Sequence, residues 1–341
     1  MSDGTAATTM ASAGSGNDAA DEVVHDFAPL LVVYKSGRLE RPIPMPLVPP
    51  GHDAATGVES KDVHLSSSTF ARLYLPPNAN AADGSNKRRL PVLVYFHGGG
   101  FVIGSAAAAA YHRCLNDLAA ACPAVAVSVD YRLAPEHPLP AAYDDALAAL
   151  KWTLSTSDPW LAEHGDLERV FLAGDSAGGN ICHHLAMHPD VITRGQMIKG
   201  VVLIHPWFWG KEPIPGEPRG ASAEKGLWEF VCPGAVDGVD DPRMNPTAPG
   251  APGLDRLACG KLMVCVAEGD ALRWRGVAYA EAVARARGSG PDAAAADDDD
   301  DPGTVELFES EGVGHVFYLL EPKTEKAAEL LRRIAAFVGA E

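Results

Sequence analysis

Much that would announce a cofactor, a metal or a polyanionic partner is missing from these 341 residues. Cys114, Cys122, Cys182, Cys232, Cys259 and Cys265 form no CxxC pair and no His-linked spacing of the kind zinc sites use. They read as buried free thiols of an intracellular protein. The first twenty-two residues are mostly Ala, Ser, Thr, Gly and Asp, with no Lys or Arg before Lys35 and no apolar run. Secretory signals need both and transit peptides need the positive charge, so a cytoplasmic protein with a disordered tail over residues 1–21 is expected. No run is long enough to span a bilayer. Positive charge is scarce: 28 Lys and Arg against 45 Asp and Glu give a formal charge of −17. Such a surface repels polyphosphates and anionic membranes, which excludes nucleic acid and membranes as expected partners and favours a neutral small molecule. The run Asp297 to Asp301 lacks the alternating ligands and glycine turn of a calcium loop. It reads as part of a solvated insertion over Gly288 to Gly303, with no metal.

What is present is alternation. Short apolar runs at Leu90 to Phe96, Ala124 to Val129, Val170 to Ala173, Val201 to Ile204, Leu262 to Ala267 and Val305 to Phe308 read as buried strands. Helix-period stretches lie between or after them, at Tyr111 to Ala121, Ala141 to Thr153, Ala177 to His188, Ala278 to Ala286 and Thr324 to Val338. The expectation is one α/β domain over residues 22–341, a mostly parallel sheet with helices on both faces, and a ligand at the carboxyl ends of the strands. Segments Leu31 to Arg41 and Val63 to Leu75 read as strands opening that sheet. Trp207 to Asp255 breaks the pattern. It is long, rich in Pro and Gly, and carries Trp207, Phe208, Trp209, Trp228 and Phe230, as a lid over a pocket would.

The chemistry gathers at strand ends. Gly174-Asp175-Ser176-Ala177-Gly178 fits GxSxG between a strand and a helix, the setting of a nucleophile elbow. Alone the pattern is weak, since a chance match in a chain of this composition occurs about one time in six. His97-Gly98-Gly99-Gly100 after the strand Leu90 to Phe96 is rarer. It sits where such enzymes keep the backbone donors of an oxyanion hole, with Gly98, Gly99 and Ala177 as the expected donors. The loop has neither GxGxxG spacing nor a GK[ST] ending, so it does not read as a phosphate loop. A serine needs a base, and of twelve histidines only His315 lies beyond His205. Glu268 and Asp270 both follow the strand Leu262 to Ala267, and periodicity alone does not choose between them. Gly269 lets the chain turn, which brings Asp270 over the sheet edge. His183, His184 and His188 read as core or solvated histidines, because no HExxH accompanies them. Arg132 and Glu136 are expected to form a buried ion pair.

With these residues in view the chain resembles the plant carboxylesterases of the hormone-sensitive lipase group, an α/β-hydrolase family. The resemblance spans about Phe27 to Val338. It rests on VYKSGR from Val33, ARLYLP from Ala71, HGGGF at His97 to Phe101, DYRLAPEHPLPAAYDD from Asp130, GDSAGGN at Gly174 to Asn180 and HVF from His315. It implies hydrolysis of small carboxylic esters without a cofactor. The roles it implies are nucleophile Ser176, base His315, acid Asp270 and oxyanion donors Gly98, Gly99 and Ala177. It also implies a lid drawn partly from the N-terminal segment, so that lid elements are expected over about 22–60 and 207–255, with Phe101, Trp207, Phe208 and Trp209 as candidate pocket residues. The group also contains the gibberellin receptor and 2-hydroxyisoflavanone dehydratase, which leaves a small-molecule receptor or a lyase as alternatives. Similar members read DxLRDRG where this chain has Trp274 at the second acidic position.

Overall fold

Near-continuous Val, Leu, Ile and Ala make strands that must be covered on both faces. So they are in this computed structural model, which describes residues 21–77, 79, 89–193, 198–217, 226–288 and 303–339. The tail over 1–20, most of the polar loop before Arg89 and the Asp297 to Asp301 run lie outside the described residues. The chain divides into two units, 1–43 and 44–341. In the first, β1 (Val23–Phe27), β2 (Leu31–Tyr34) and β3 (Leu39–Glu40) form an antiparallel sheet of their own. Leu31 to Arg41 was expected to open the main sheet. It does not, because Gly37, at φ +87°, reverses the chain with its N–H on the Tyr34 carbonyl (2.9 Å).

The second unit is built on β4 (Glu59–His64), β5 (Phe70–Leu75), β6 (Leu90–Phe96), β7 (Val125–Asp130), β8 (Gly165–Asp175), β9 (Ile198–Ile204), β10 (Cys259–Ala267) and β11 (Val305–Ser310). They form one sheet in the order β11-β10-β9-β8-β6-β7-β5-β4, in which the β4–β5 and β5–β7 pairings are antiparallel and the others parallel. Val63 to Leu75, expected as one strand, holds the β4–β5 turn. Ser66 breaks it, its hydroxyl accepting the N–H groups of Ser68 and Thr69.

The helices are α1 (Ala109–Ala121), α2 (Ala141–Leu154), α3 (Pro159–His164), α4 (Ala177–Ala186), α5 (Pro189–Thr193), α6 (Leu227–Val231), α7 (Arg273–Ala286), α8 (Phe317–Leu320) and α9 (Glu325–Gly339). Leu93, Tyr95, Phe171, Ala173, Val202 and Met263 share one core with Leu115 and Leu118 of α1, Phe317 of α8 and Leu330 and Ile334 of α9. Strand side chains alternate, so the neighbours of these residues face the opposite side, where Gly276 of α7 lies against Val264 and Val266. Trp207, Trp228, Val231 and Met244 are buried, so the described part of the Trp207 to Asp255 stretch is packed rather than loose.

Register then places the site. Phe96 pairs with Gly174, Asp175 with Ile204, Ile204 with Cys265, and Ala267 with Ser310. The parallel strands therefore end together, and the residues just past them share one edge of the sheet. The approach of α4 to that edge is close: a Cβ on Gly178 would sit 1.9 Å from the Phe96 carbonyl oxygen. Gly178→Ala should therefore lift α4 off β6 and cost about 4 kcal/mol in urea unfolding, near the upper end for single substitutions. An unchanged midpoint would show that the helix is not seated this tightly.

Candidate active site

Ser176 occupies the turn between β8 and α4 at φ +51°, ψ −117°, a conformation that non-glycine residues hold only when their surroundings force it. The force is visible. Its N–H donates to the Ile204 carbonyl (2.9 Å), and its own carbonyl accepts from Trp207 (2.9 Å) and Asn180 (3.1 Å). Buried Asn180 extends the clamp, donating to the Trp207 and Arg243 carbonyls and accepting from the Tyr143 hydroxyl.

Next to the serine, the carboxylate of Asp175 is fully buried. It accepts from the hydroxyls of Tyr95 (2.8 Å) and Tyr111 (2.9 Å) and from the N–H of Gly98 (3.1 Å). Tyr95 also meets the Tyr318 hydroxyl at 3.1 Å. Burial raises the Asp175 pKa above its ordinary value although both hydroxyls pull it down. A buried tyrosine hydroxyl needs a partner, yet inside an apolar strand run Tyr95 gave no sign of one.

This network corrects one expected donor. The Gly98 N–H points into the protein, bonded to the Tyr111 hydroxyl (2.9 Å) and to Asp175, and so cannot serve an oxyanion. Among the described residues no acceptor takes the N–H of Gly99, Gly100 or Ala177. Gly99, at φ +114°, turns the loop so tightly that a Cβ there would lie 2.2 Å from the Ile103 carbonyl oxygen. The free donors are thus one residue further along than Gly98. Buried His97 stacks on Tyr131 at 4.2 Å, its Nδ1 on the Gly98 carbonyl, which makes it part of the loop's support.

His315 Nδ1 lies 2.7 Å from Asp270 Oδ2. The Asp270 pKa is lowered: burial works to raise it, but the bonds from His315 and the Leu272 N–H outweigh that. A carboxylate only accepts, so Nδ1 is the donor and Nε2 keeps its lone pair while the ring is neutral. The imidazole side chain is 35% exposed, enough to meet a ligand. Glu268 is elsewhere, accepting the Gly312 N–H (2.7 Å) and so bracing the loop that carries His315.

The four candidate pocket aromatics separate. Phe101 and Trp207 lie together, ring centroids 5.9 Å apart, beside Tyr143 and Trp228. Phe208 packs on Tyr279 and His183, and Trp209 lies under the Arg275 guanidinium. Trp274 packs against Gly216, where a Cβ would meet its ring at 2.5 Å, and Arg275 makes a buried ion pair with Glu217. Arg132 pairs with Asp145, in two bonds of 2.8 Å, and Glu136, expected in a buried ion pair, is exposed. Asp145, on α2, is presented to Arg132 by the helix itself. Among the described residues, one group could hold a metal by distance: His205, Asp270 and His315, with ligand atoms within 4.8 Å of one another. Its chemistry is against it. His205 Nδ1 accepts the Val316 N–H (2.9 Å), so a neutral His205 carries its proton on Nε2 and has no lone pair to give.

The family model described as the alpha/beta hydrolase fold matches residues 93–319. "Probable carboxylesterase 13" of Arabidopsis thaliana is 41% identical over 335 residues, covering 93% of this chain and 98% of its own. A 2-hydroxyisoflavanone dehydratase of Glycyrrhiza echinata is 42% identical, covering 93% and 96%. A solved hyperthermophilic esterase from the archaeon Pyrobaculum calidifontis has a TM-score of 0.62 at 31% identity, over 86% of this chain and 84% of that one.

Burial of histidines around the site has a measurable effect. Burial lowers His183 and His205 from 6.5 to about 3. Below pH 6.5 the unfolded chain binds protons that the folded chain refuses, so stability falls with pH until the folded values are reached near 3. The loss at pH 5 is on the order of 2 kcal/mol per histidine. Urea unfolding at pH 7 and pH 5 should show it, with a shallower fall in His183→Gln. Equal falls in the two proteins would mean that His183 takes up its proton without unfolding.

Proposed function

The chain belongs to the α/β-hydrolase family, and we propose that it is a serine carboxylesterase acting on small carboxylic esters through an acyl-enzyme. The observation that carries this reading is the pairing of Asp270 with His315 at 2.7 Å on the same sheet edge as a serine held in a strained turn. In this scheme Ser176 Oγ attacks the ester carbonyl while His315 Nε2 takes its proton, and Asp270 stabilises the imidazolium that forms. The oxyanion accepts from the N–H groups of Gly99, Gly100 and Ala177. Collapse of the adduct expels the alcohol, which receives its proton from His315, and water then repeats the sequence on the acyl-serine. Every proton passes through His315, so the scheme calls on no cofactor.

A pure receptor on this fold has no use for a paired acid and base, and their presence favours turnover. The dehydratase among the relatives favours a lyase as the second reading. Product analysis separates them, since a lyase releases water and an alkene where an esterase releases acid and alcohol. All six cysteines are unpaired and buried, which supports a reducing compartment, and the cytoplasm is the location we infer. Among the described residues no helix is long and apolar enough to cross a membrane.

Ser176→Ala should abolish turnover of p-nitrophenyl butyrate, and an organophosphate should label Ser176. Labelling at another residue would overturn the nucleophile. Asp270→Asn should lower kcat by roughly 10⁴-fold, because the amide fixes the wrong imidazole tautomer. Glu268→Gln, which keeps an acceptor for the Gly312 N–H, should lower it by less than about tenfold. The opposite ranking in folded protein would make Glu268 the acid.

A further inference from the structure

His205 has no part in the scheme above, yet it is buried beside it in an arrangement that packing alone does not explain. It follows β9 directly, with its N–H on the Cys265 carbonyl (2.8 Å) and its backbone at φ +47°. Its Nδ1 accepts the N–H of Val316, the residue after His315, and Val316 is itself at φ +46°. The ring lies 5.7 Å from that of His315, 5.8 Å from Phe317 and 6.2 Å from Tyr318, centroid to centroid. Nε2 is buried with no hydrogen-bond partner among the described residues. A leucine would fill similar space without an unpaired N–H, and an asparagine would sit more easily at positive φ. What the imidazole supplies that a leucine could not is an acceptor aimed at the peptide following His315.

We propose that His205 is a positioning residue for His315, its Nδ1 fixing the backbone from which the catalytic imidazole projects. The Asp270 bond restrains His315 only at the far side of the ring, and the loop that carries it includes Gly312 and Gly314. Glu268 holds the start of that loop through Gly312, the Gly269 N–H holds Val313 (2.9 Å), and His205 holds the end. A slip of the pivot moves Nε2 away from the serine, and errors of about 1 Å at a reacting pair can cost 10²-fold in rate. Burial and the neighbouring His315 keep His205 uncharged, with its pKa lowered to about 3. The Nδ1 lone pair therefore stays available, and no second cation opposes the imidazolium on His315.

The inference rests on the triad reading, and the test separates the two. His205→Leu removes the acceptor, and His205→Asn returns one at nearly the position of Nδ1. On p-nitrophenyl butyrate, with folding checked by near-ultraviolet circular dichroism, His205→Leu should lower kcat about 30- to 100-fold with KM within about threefold. His205→Asn should stay within about fivefold of the parent kcat. If Leu does not fold, His205→Gln takes its place, since its longer amide cannot reach back to Val316. Full kcat in the Leu or Gln variant, or equal losses in these and Asn, would overturn the positioning role while inactivity of Ser176→Ala left the triad standing. Turnover surviving in Ser176→Ala would overturn both.

Discussion

The carboxylate of Asp175 is the constraint on which the rest of the site depends. A buried carboxylate is tolerated only if its lone pairs are met, and here the donors come from separate parts of the chain. Tyr95 is in β6, Gly98 in the glycine loop and Tyr111 in α1. Through Tyr95 the network reaches Tyr318 in α8, just past His315. The residue before Ser176, the glycine loop and the segment following His315 are thus satisfied by one another. None can shift without leaving a polar group unpaired where water does not reach, so the geometry is enforced by the cost of its alternatives rather than by the strength of any single bond.

Strain is located where this enforcement is strongest. Of the described non-glycine residues at positive φ, Phe101, Ser176, His205 and Val316 all lie past strand ends on the sheet edge that carries Ser176, and only Thr156 is elsewhere. Each is fixed by backbone bonds to a neighbour on that edge: Ser176 to Ile204 and Trp207, His205 to Cys265, and Val316 to the His205 ring. Phe101 is held through its carbonyl by the Ala134 N–H (2.8 Å). A rigid parallel sheet supplies the reference frame, and the strained residues are the places where the chain must leave it sharply to turn side chains and N–H groups toward one point.

That division explains what could be read in the sequence. The buried strands and the helices between them were legible because burial on both faces demands long apolar runs, and the Asp270–His315 pairing because both residues follow strand ends in the order the motifs suggest. Gly269 marked the turn that distinguishes Asp270 from Glu268. What failed depended on direction. Nothing in His-Gly-Gly-Gly says which N–H points outward, and the choice of Gly98 foundered on Tyr111 and Asp175, partners distant in the chain. The Arg132–Asp145 pair was missed for the same reason: spacing along the chain is visible, and only the docking of α2 gives proximity. The β4–β5 turn at Ser66 was hidden because its flanks both alternate like a strand, and a serine hydroxyl capping local N–H groups leaves no mark in hydropathy.

Burial also sorts the histidines by role. His97, His183 and His205 are enclosed, and burial lowers the pKa of each, so all three remain neutral and act through fixed hydrogen bonds or ring contacts. His315 has an ionised carboxylate on one side and exposed surface on the other. If it alone changes charge during turnover, the imidazolium is formed between Asp270, which stabilises it, and His205, which does not oppose it. In the proposed scheme the oxyanion would form at the glycine loop, whose backbone is held by the Gly98 bond to Asp175. Little would then need to reorganise as charge develops, which is the condition under which fixed dipoles stabilise a charge-separated intermediate.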